Sequence, residues 1–253
     1  MASYTYDMTD KRSLNTLIGR VYGYMFFGLI LTAIIAIGTG LLFNQLIFGT
    51  LSISDNLGNI ESINSNALIA LFVVLAVSAI GVLIISFVVH MKAFGNRSIQ
   101  IPALIYCILM GTLLSCLVIF VPWPVLGITF ALTSGIFGIM FLISYFSKGN
   151  LNALGMIGIG LLIGGAFIAL IGFIFMLTGF LGAYMHLYWI VSLITFAAIM
   201  FITIWDMWRI KQIAESGEMN NNLAMYCAFI LYVDFIYLFL RILRIVSYFF
   251  SRR

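Results

Sequence analysis

Seven stretches of this chain are apolar for more than twenty residues each: 21–43, 67–89, 101–121, 125–146, 153–178, 187–207 and 223–248. A bilayer's hydrocarbon core, about 30 Å thick, takes about 20 helical residues to cross. Hydrocarbon offers no hydrogen bonds, so each stretch has to satisfy its own backbone, which a helix does. Barrel strands would be shorter and would alternate polar with apolar positions. The expected fold is therefore an all-α polytopic membrane protein with seven transmembrane helices. With 64% hydrophobic and only 8% charged residues, the chain is no soluble domain, since those run to about a quarter charged. Residues 1–20 are expected to be a cytoplasmic tail and 21–253 a single transmembrane domain. The first twenty residues have no short apolar core, so no cleavable signal peptide is expected.

Charge sets the expected orientation. Lys11, Arg12, Arg20, Lys92, Arg97, Lys148, Arg209 and Lys211 lie in the N-terminal tail and in the second, fourth and sixth loops. The first, third and fifth loops hold no Lys or Arg, and the first carries Asp55 and Glu61. By the positive-inside rule the N-terminus is cytoplasmic. Seven spans then put Arg252 and Arg253 outside; a re-entrant last segment would keep both termini inside. The basic residues form no patch, so no nucleic-acid partner is expected. Short loops, compact length and the absence of a retention signal point to a bacterial plasma membrane.

Cys107, Cys116 and Cys227 all fall in apolar segments, with no CxxC or Cys/His cluster. Neither a disulfide framework nor a metal site of that kind is expected, and no resident cofactor. Gly160 and Gly164 form a GxxxG in the fifth span, the spacing that lets helices approach closely. Gly158-Ile159-Gly160 follows no strand, so it is not a nucleotide loop. Pro122-Trp123-Pro124 reads as a tight outer turn, with Trp123 and Trp189 suited to the interface. His186 lies at the outer end of the sixth span and suits the interface too.

Two acids stand inside apolar sequence: Asp206 in Ile204-Trp205-Asp206-Met207 and Asp234 in Leu231-Tyr232-Val233-Asp234-Phe235-Ile236. An ionisable group in hydrocarbon costs several kcal/mol unless compensated, which marks a functional site. Topology puts Asp206 one residue from the inner end of its span. Asp234 lies about eleven residues into the next, roughly 16 Å at 1.5 Å per residue. If they meet, like charges in low dielectric cannot both ionise, and the pair shares a proton. The bland alternative makes Asp206 a helix-end residue paired with Arg209. Arg241 shares a helical face with Asp234 but is about 10 Å away, so snorkelling suits it better. His90, at the inner end of the second span beside Lys92, is either a polar helix-end residue or a partner for an acid at that depth.

Several stretches resemble the Bax inhibitor (transmembrane Bax inhibitor motif) family. Tyr22-Gly23-Tyr24-Met25 followed by Gly28-Leu29-Ile30-Leu31-Thr32-Ala33 is similar to its first span. Ser144-Tyr145-Phe146-Ser147-Lys148-Gly149-Asn150-Leu151 with Leu154-Gly155 resembles the loop after its fourth span, with Ser and Asn where Thr and Asp are typical. Trp205-Asp206 with Ile210 resembles its sixth-span motif, with Trp for Tyr. Leu231-Tyr232-Val233-Asp234-Phe235-Ile236-Tyr237-Leu238-Phe239 resembles its seventh-span motif and is the most specific match. The resemblance runs in order over essentially the whole chain.

That resemblance implies six helices surrounding a central C-terminal helix. It also implies a pH-sensitive calcium leak in which Asp206 and Asp234 are pH sensor and ion gate. In bacterial relatives an Arg at the inner end of the second span contacts the sixth-span Asp. Here His90 is best placed for that contact and Lys92 second. Calcium, transiently bound by Asp206 and Asp234, and protons are the expected ions. Calcium takes six to eight oxygens, so two carboxylates supply only part of a shell, which suits transit better than storage. The competing reading is a stress-response regulator that binds other membrane proteins, such as a membrane protease, without transport of its own. An intramembrane aspartyl protease is not supported. Asp234 lacks the flanking glycines, and Pro102-Ala103-Leu104 lies upstream of both acids. The chain is therefore expected not to be an enzyme.

Overall fold

The computed structural model describes residues 2–48, 65–94, 99–147, 149–178, 181–216 and 221–250. These residues form seven helices and no strand: α1 Ala2–Phe48, α2 Ser65–Phe94, α3 Gln100–Phe120, α4 Trp123–Phe146, α5 Asn152–Leu177, α6 Leu181–Glu215 and α7 Asn221–Phe250. All seven are long and apolar enough to cross a membrane. Asp55, Glu61, Arg97, Lys148, Arg252 and Arg253 lie outside the described residues, as do the side chains of Lys11, Arg12 and His186.

Two boundaries differ from those expected. The polar tail is helical from Ala2 and continuous with the first span. α6 does not stop near Met207 but continues to Glu215. The extension has a physical cause: Lys211 Nζ donates to Tyr145 O at 2.8 Å and Ser147 O at 3.3 Å. A lysine there satisfies carbonyls that the end of α4 leaves open. α7 is one unbroken helix, without the chain reversal that a re-entrant segment needs.

Local chemistry sets the other ends. Val121 is extended, with φ −110° and ψ 130°, as a residue before proline must be. Pro122 ends α3, and Pro124 sits in the first turn of α4, where a missing N–H costs nothing. At the start of α5, Asn150 Oδ1 accepts a hydrogen bond from Asn152 N–H at 2.9 Å. Thr129 and Thr133 are fully buried in α4. Their hydroxyls donate to Val125 O and Thr129 O, each at 2.7 Å, so no polar hydrogen is stranded.

The chain gathers into two compact units. The first comprises Met1–Ile18, Pro124–Met219 and Ile230–Arg253, hence α4, α5, α6 and most of α7. Here α5 packs along α6 through glycines. A Cβ at Gly155 would meet the Trp205 ring at 2.6 Å, and one at Gly158 would meet Ile202 at 2.7 Å. Gly165 and Gly172 continue the same buried face. The GxxxG glycines lie elsewhere: Gly160 and Gly164 are exposed, with open space where a Cβ would go. Steps of seven from Gly158 to Gly165 to Gly172 keep one helical face turned to α6. The step of four from Gly160 to Gly164 selects another. Phe235 of α7 packs edge-on against Phe130 and Phe137 of α4, and Tyr248 against Trp189 of α6.

The second unit comprises Gly19–Trp123 and Asn220–Phe229, hence most of α1, α2, α3 and the first turns of α7. Gly111 of α3 lies against α1, where an added Cβ would be 2.8 Å from Thr32 O. Thr32 donates to Cys107 O at 3.3 Å across the same contact. Phe229 of α7 packs on Tyr106 of α3, ring centroids 4.9 Å apart.

α7 is the most enclosed helix. Half of its most apolar window is buried, against 11–33% for the other spans. Leu231, Tyr232, Phe235, Ile236 and Leu238 are all buried. Outward-facing positions on the other helices carry large apolar side chains such as Phe72, Leu83, Phe87, Phe146, Met156 and Phe167. A surface of that kind requires hydrocarbon as its solvent.

The α5–α6 contact predicts opposite outcomes for neighbouring glycines. Gly155→Ala should lower the thermal midpoint in detergent, since overpacking costs about 1–3 kcal/mol. Gly160→Ala should leave it unchanged or raise it. Equal effects at the two positions would show that the glycine face is misassigned.

Candidate functional site

Asp206 lies nine residues before α6 ends at Glu215. Asp234 lies thirteen residues after α7 begins at Asn221. The extension of α6 therefore removes most of the depth mismatch expected when Asp206 ended its span. Asp206 is no helix-end residue: it is 9% exposed, with a further two turns of helix behind it.

The Asp206 and Asp234 side chains lie close enough to interact directly. Thr203, one turn before Asp206 on the same face of α6, also reaches Asp234. Thr203 is fully buried, and its hydroxyl donates to Ile199 O at 2.8 Å. Asp234 Oδ2 is buried, and no N–H or hydroxyl among the described residues donates to it. Two like charges about 4 Å apart repel by about 4 kcal/mol at an effective dielectric near 20. An arrangement with both acids ionised and in contact is therefore costly.

Trp205 sets the rotation of α6. Its indole N–H donates to Asn152 Oδ1 at 3.1 Å, and its ring fills the space left open at Gly155. Holding Trp205 against α5 directs the next residue, Asp206, to a different face, about 100° around a helix of 3.6 residues per turn. Arg209 follows one turn later and attracts Asp206 electrostatically. Its guanidinium is exposed and lies 5.5 Å from the Trp205 ring centroid, so it is shared between the ring and the acid. The Arg209 partner expected for Asp206 is thus present alongside the second acid.

His90 and Lys92 belong to the other compact unit. His90 Nδ1 is 2.8 Å from Ser86 O, and its ring meets Tyr226 and Phe229 edge-on at 5.8 and 6.3 Å. Lys92 occupies the last turn of α2. Among the described residues no three His, Cys, Asp or Glu side chains gather closely enough to hold a metal. Among the described residues, the side-chain oxygens shown to act on Asp234 are those of Asp206 and Thr203.

Thr203 and Lys211 help build the site, and sequence pattern alone assigns neither of them a role in it. Thr203 had a usable signal: it is the polar residue three before Asp206 in an otherwise apolar run. Lys211 read only as a topological charge. Ser144 is buried with its hydroxyl unpartnered, and nothing in the surrounding geometry accounts for it.

Comparison with known proteins agrees with this architecture. Residues 14–251 match the family described as Inhibitor of apoptosis-promoting Bax1. Inner membrane protein YbhL of Escherichia coli (strain K12) is 28% identical over 241 residues, 93% of this chain and 92% of the relative. Uncharacterized protein RP147 of Rickettsia prowazekii (strain Madrid E) is 29% identical over 253 residues, 94% of this chain and 92% of the relative. No solved structure is a significant match. With seven membrane-crossing helices and a family match over nearly its whole length, the chain is a multi-pass membrane protein that belongs to the Bax inhibitor family.

Proposed function

We propose that this protein is a proton-gated cation leak, with calcium as the ion and the contact between Asp206 and Asp234 as the gate. One observation carries the reading: the two acids are neighbours across α6 and α7, and a buried oxygen of Asp234 has no donor among the described residues. A threonine hydroxyl has one hydrogen, and Ile199 O takes that of Thr203. Ionised carboxylates only accept. For the three groups to hold together by hydrogen bonds, at least one proton has to be added, and the acid pair supplies it. The shared proton then ties α6 to α7. Its loss leaves two anions facing each other beside an apolar core, which favours separation of the helices or capture of a cation.

Two carboxylates and a hydroxyl give calcium part of its preferred shell, and water completes it. Weak binding of that kind suits passage. In this proposal the protein sits in a bacterial plasma membrane with its N-terminus facing the cytoplasm, a reading that the distribution of Lys and Arg supports. The inner-membrane relative from Escherichia coli supports that location.

The sign of the pH response follows from the gate. The proton holds the contact at low pH, so flux rises as pH rises. In vesicles loaded with a calcium dye, flux should increase with pH by about fivefold or more, the low end of coupling free energies of 1–3 kcal/mol. Asp234→Asn keeps a donor that cannot ionise, so it should hold flux at its low-pH level across the range. A wild-type flux equal to that of empty vesicles, or an unchanged pH profile in Asp234→Asn, overturns the proposal. Thr203→Val removes the hydroxyl beside the acid pair and should shift the pH profile by about one unit or less, because a neutral hydrogen bond contributes about 0.5–1.5 kcal/mol.

A further inference from the structure

The far end of α7 carries a second polar feature that the gate does not use. Tyr237, Arg241, Arg244 and Tyr248 follow one another at steps of four, three and four, which is one helical face. This face is the exception on the most enclosed helix: Tyr237 and Arg244 are exposed, and Arg241 and Tyr248 half-buried. Arg241 lies nine residues and Arg244 six residues from the end of α7 at Phe250, so both fall inside the membrane-crossing helix. Two cations at that depth require compensation. Among the described residues neither forms an ion pair with a carboxylate. Glu215 lies near Lys211 instead, and Asp234 is about 10 Å along the helix from Arg241.

Beside the arginines is an apolar cleft of about 190 Å³ between α5 and α6, lined by Ile168, Gly172, Phe173, Met176, Tyr188 and Val191. Phe173 and Met176 are more than half exposed, so the walls open outward. Tyr188 links cleft and cations: it lines the cleft, and the Arg244 guanidinium sits 5.5 Å from its ring centroid. Near this end of the helices an arginine side chain reaches the boundary between hydrocarbon and headgroups.

We propose that this corner is a binding site for an anionic phospholipid. Arg241 and Arg244 hold the headgroup phosphate, and one acyl chain lies in the cleft between α5 and α6. A phosphate supplies the negative charge that the described protein residues do not. Guanidinium groups bind it through paired N–H donors. The cleft offers an alkyl chain apolar contact along both helices, and Tyr188 stands between the cleft and Arg244.

Native mass spectrometry of the full chain in detergent, with equimolar phosphatidylglycerol and phosphatidylcholine of matched chains, tests this. The wild type should retain phosphatidylglycerol by about tenfold over phosphatidylcholine, as two arginines near a headgroup imply. Arg241→Gln with Arg244→Gln should abolish the preference. Ala169→Trp, which crowds the cleft from its exposed wall, should reduce retention of both lipids while the preference persists. Circular dichroism and elution volume show whether each variant is folded, and Arg244→Lys serves as a milder change that should weaken the preference only partly. Equal retention of the two lipids by the wild type overturns the proposal. So does a preference unchanged in the double Gln variant. Displacement of the lipid by glycerol phosphate at equal concentration, with no effect of Ala169→Trp, identifies a simple anion site and overturns it also.

Discussion

A carboxyl group surrounded by hydrocarbon needs a donor, and Asp234 finds few. Apolar residues flank it on α7 for several turns in each direction. Its neighbours from α6 are another acid and a threonine whose hydrogen is bound to Ile199 O. The position of α6 against α7 therefore bears directly on the energy of this one group. An acid pair that shares a proton is stable only while the helices stay in register, which makes the contact both a constraint on packing and the proposed sensor.

Holding that register is the task of parts that carry no charge. Trp205 is fixed between Asn152 and the bare backbone at Gly155, which sets the rotation of α6. Lys211 bonds the carbonyls at the end of α4, which carries α6 two turns beyond its apolar stretch. Phe235, the residue next to Asp234, packs on Phe130 and Phe137 of α4. Each contact restrains rotation or sliding of a helix that presents an acid. The glycine face of α5 is part of the same arrangement, because a side chain at Gly155 would displace the tryptophan.

The two ends of α7 differ in electrostatic character. Asp234 lies in the first half of α7, and the arginine pair in the last third. Carboxylates in low dielectric attract protons and cations, whereas unpaired guanidiniums attract phosphate. The proposed lipid site and the proposed gate therefore use the same helix for opposite ligands, far enough apart that neither needs the other to form.

Much of this was legible in the residues. The seven spans came from continuous hydropathy, which depends only on composition over a window. The acids stood out because burying a charge is costly whatever the fold. The ends of α6 and the face of α5 were not legible. The stretch after Met207 looks polar enough for a loop, yet it is helix, with Ile210 and Ala214 buried and Lys211 bonded to the carbonyls of Tyr145 and Ser147. Gly160 and Gly164 match a packing motif by spacing, yet the register with α6 selects Gly155 and Gly158. The sequence by itself determined that seven apolar helices exist and that two of them carry an acid, because hydropathy and the cost of charge are local properties. Only the tertiary structure decided that the acids meet, that Thr203 joins them and which glycines touch α6. Those outcomes depend on helix rotation and axial shift, which composition leaves open.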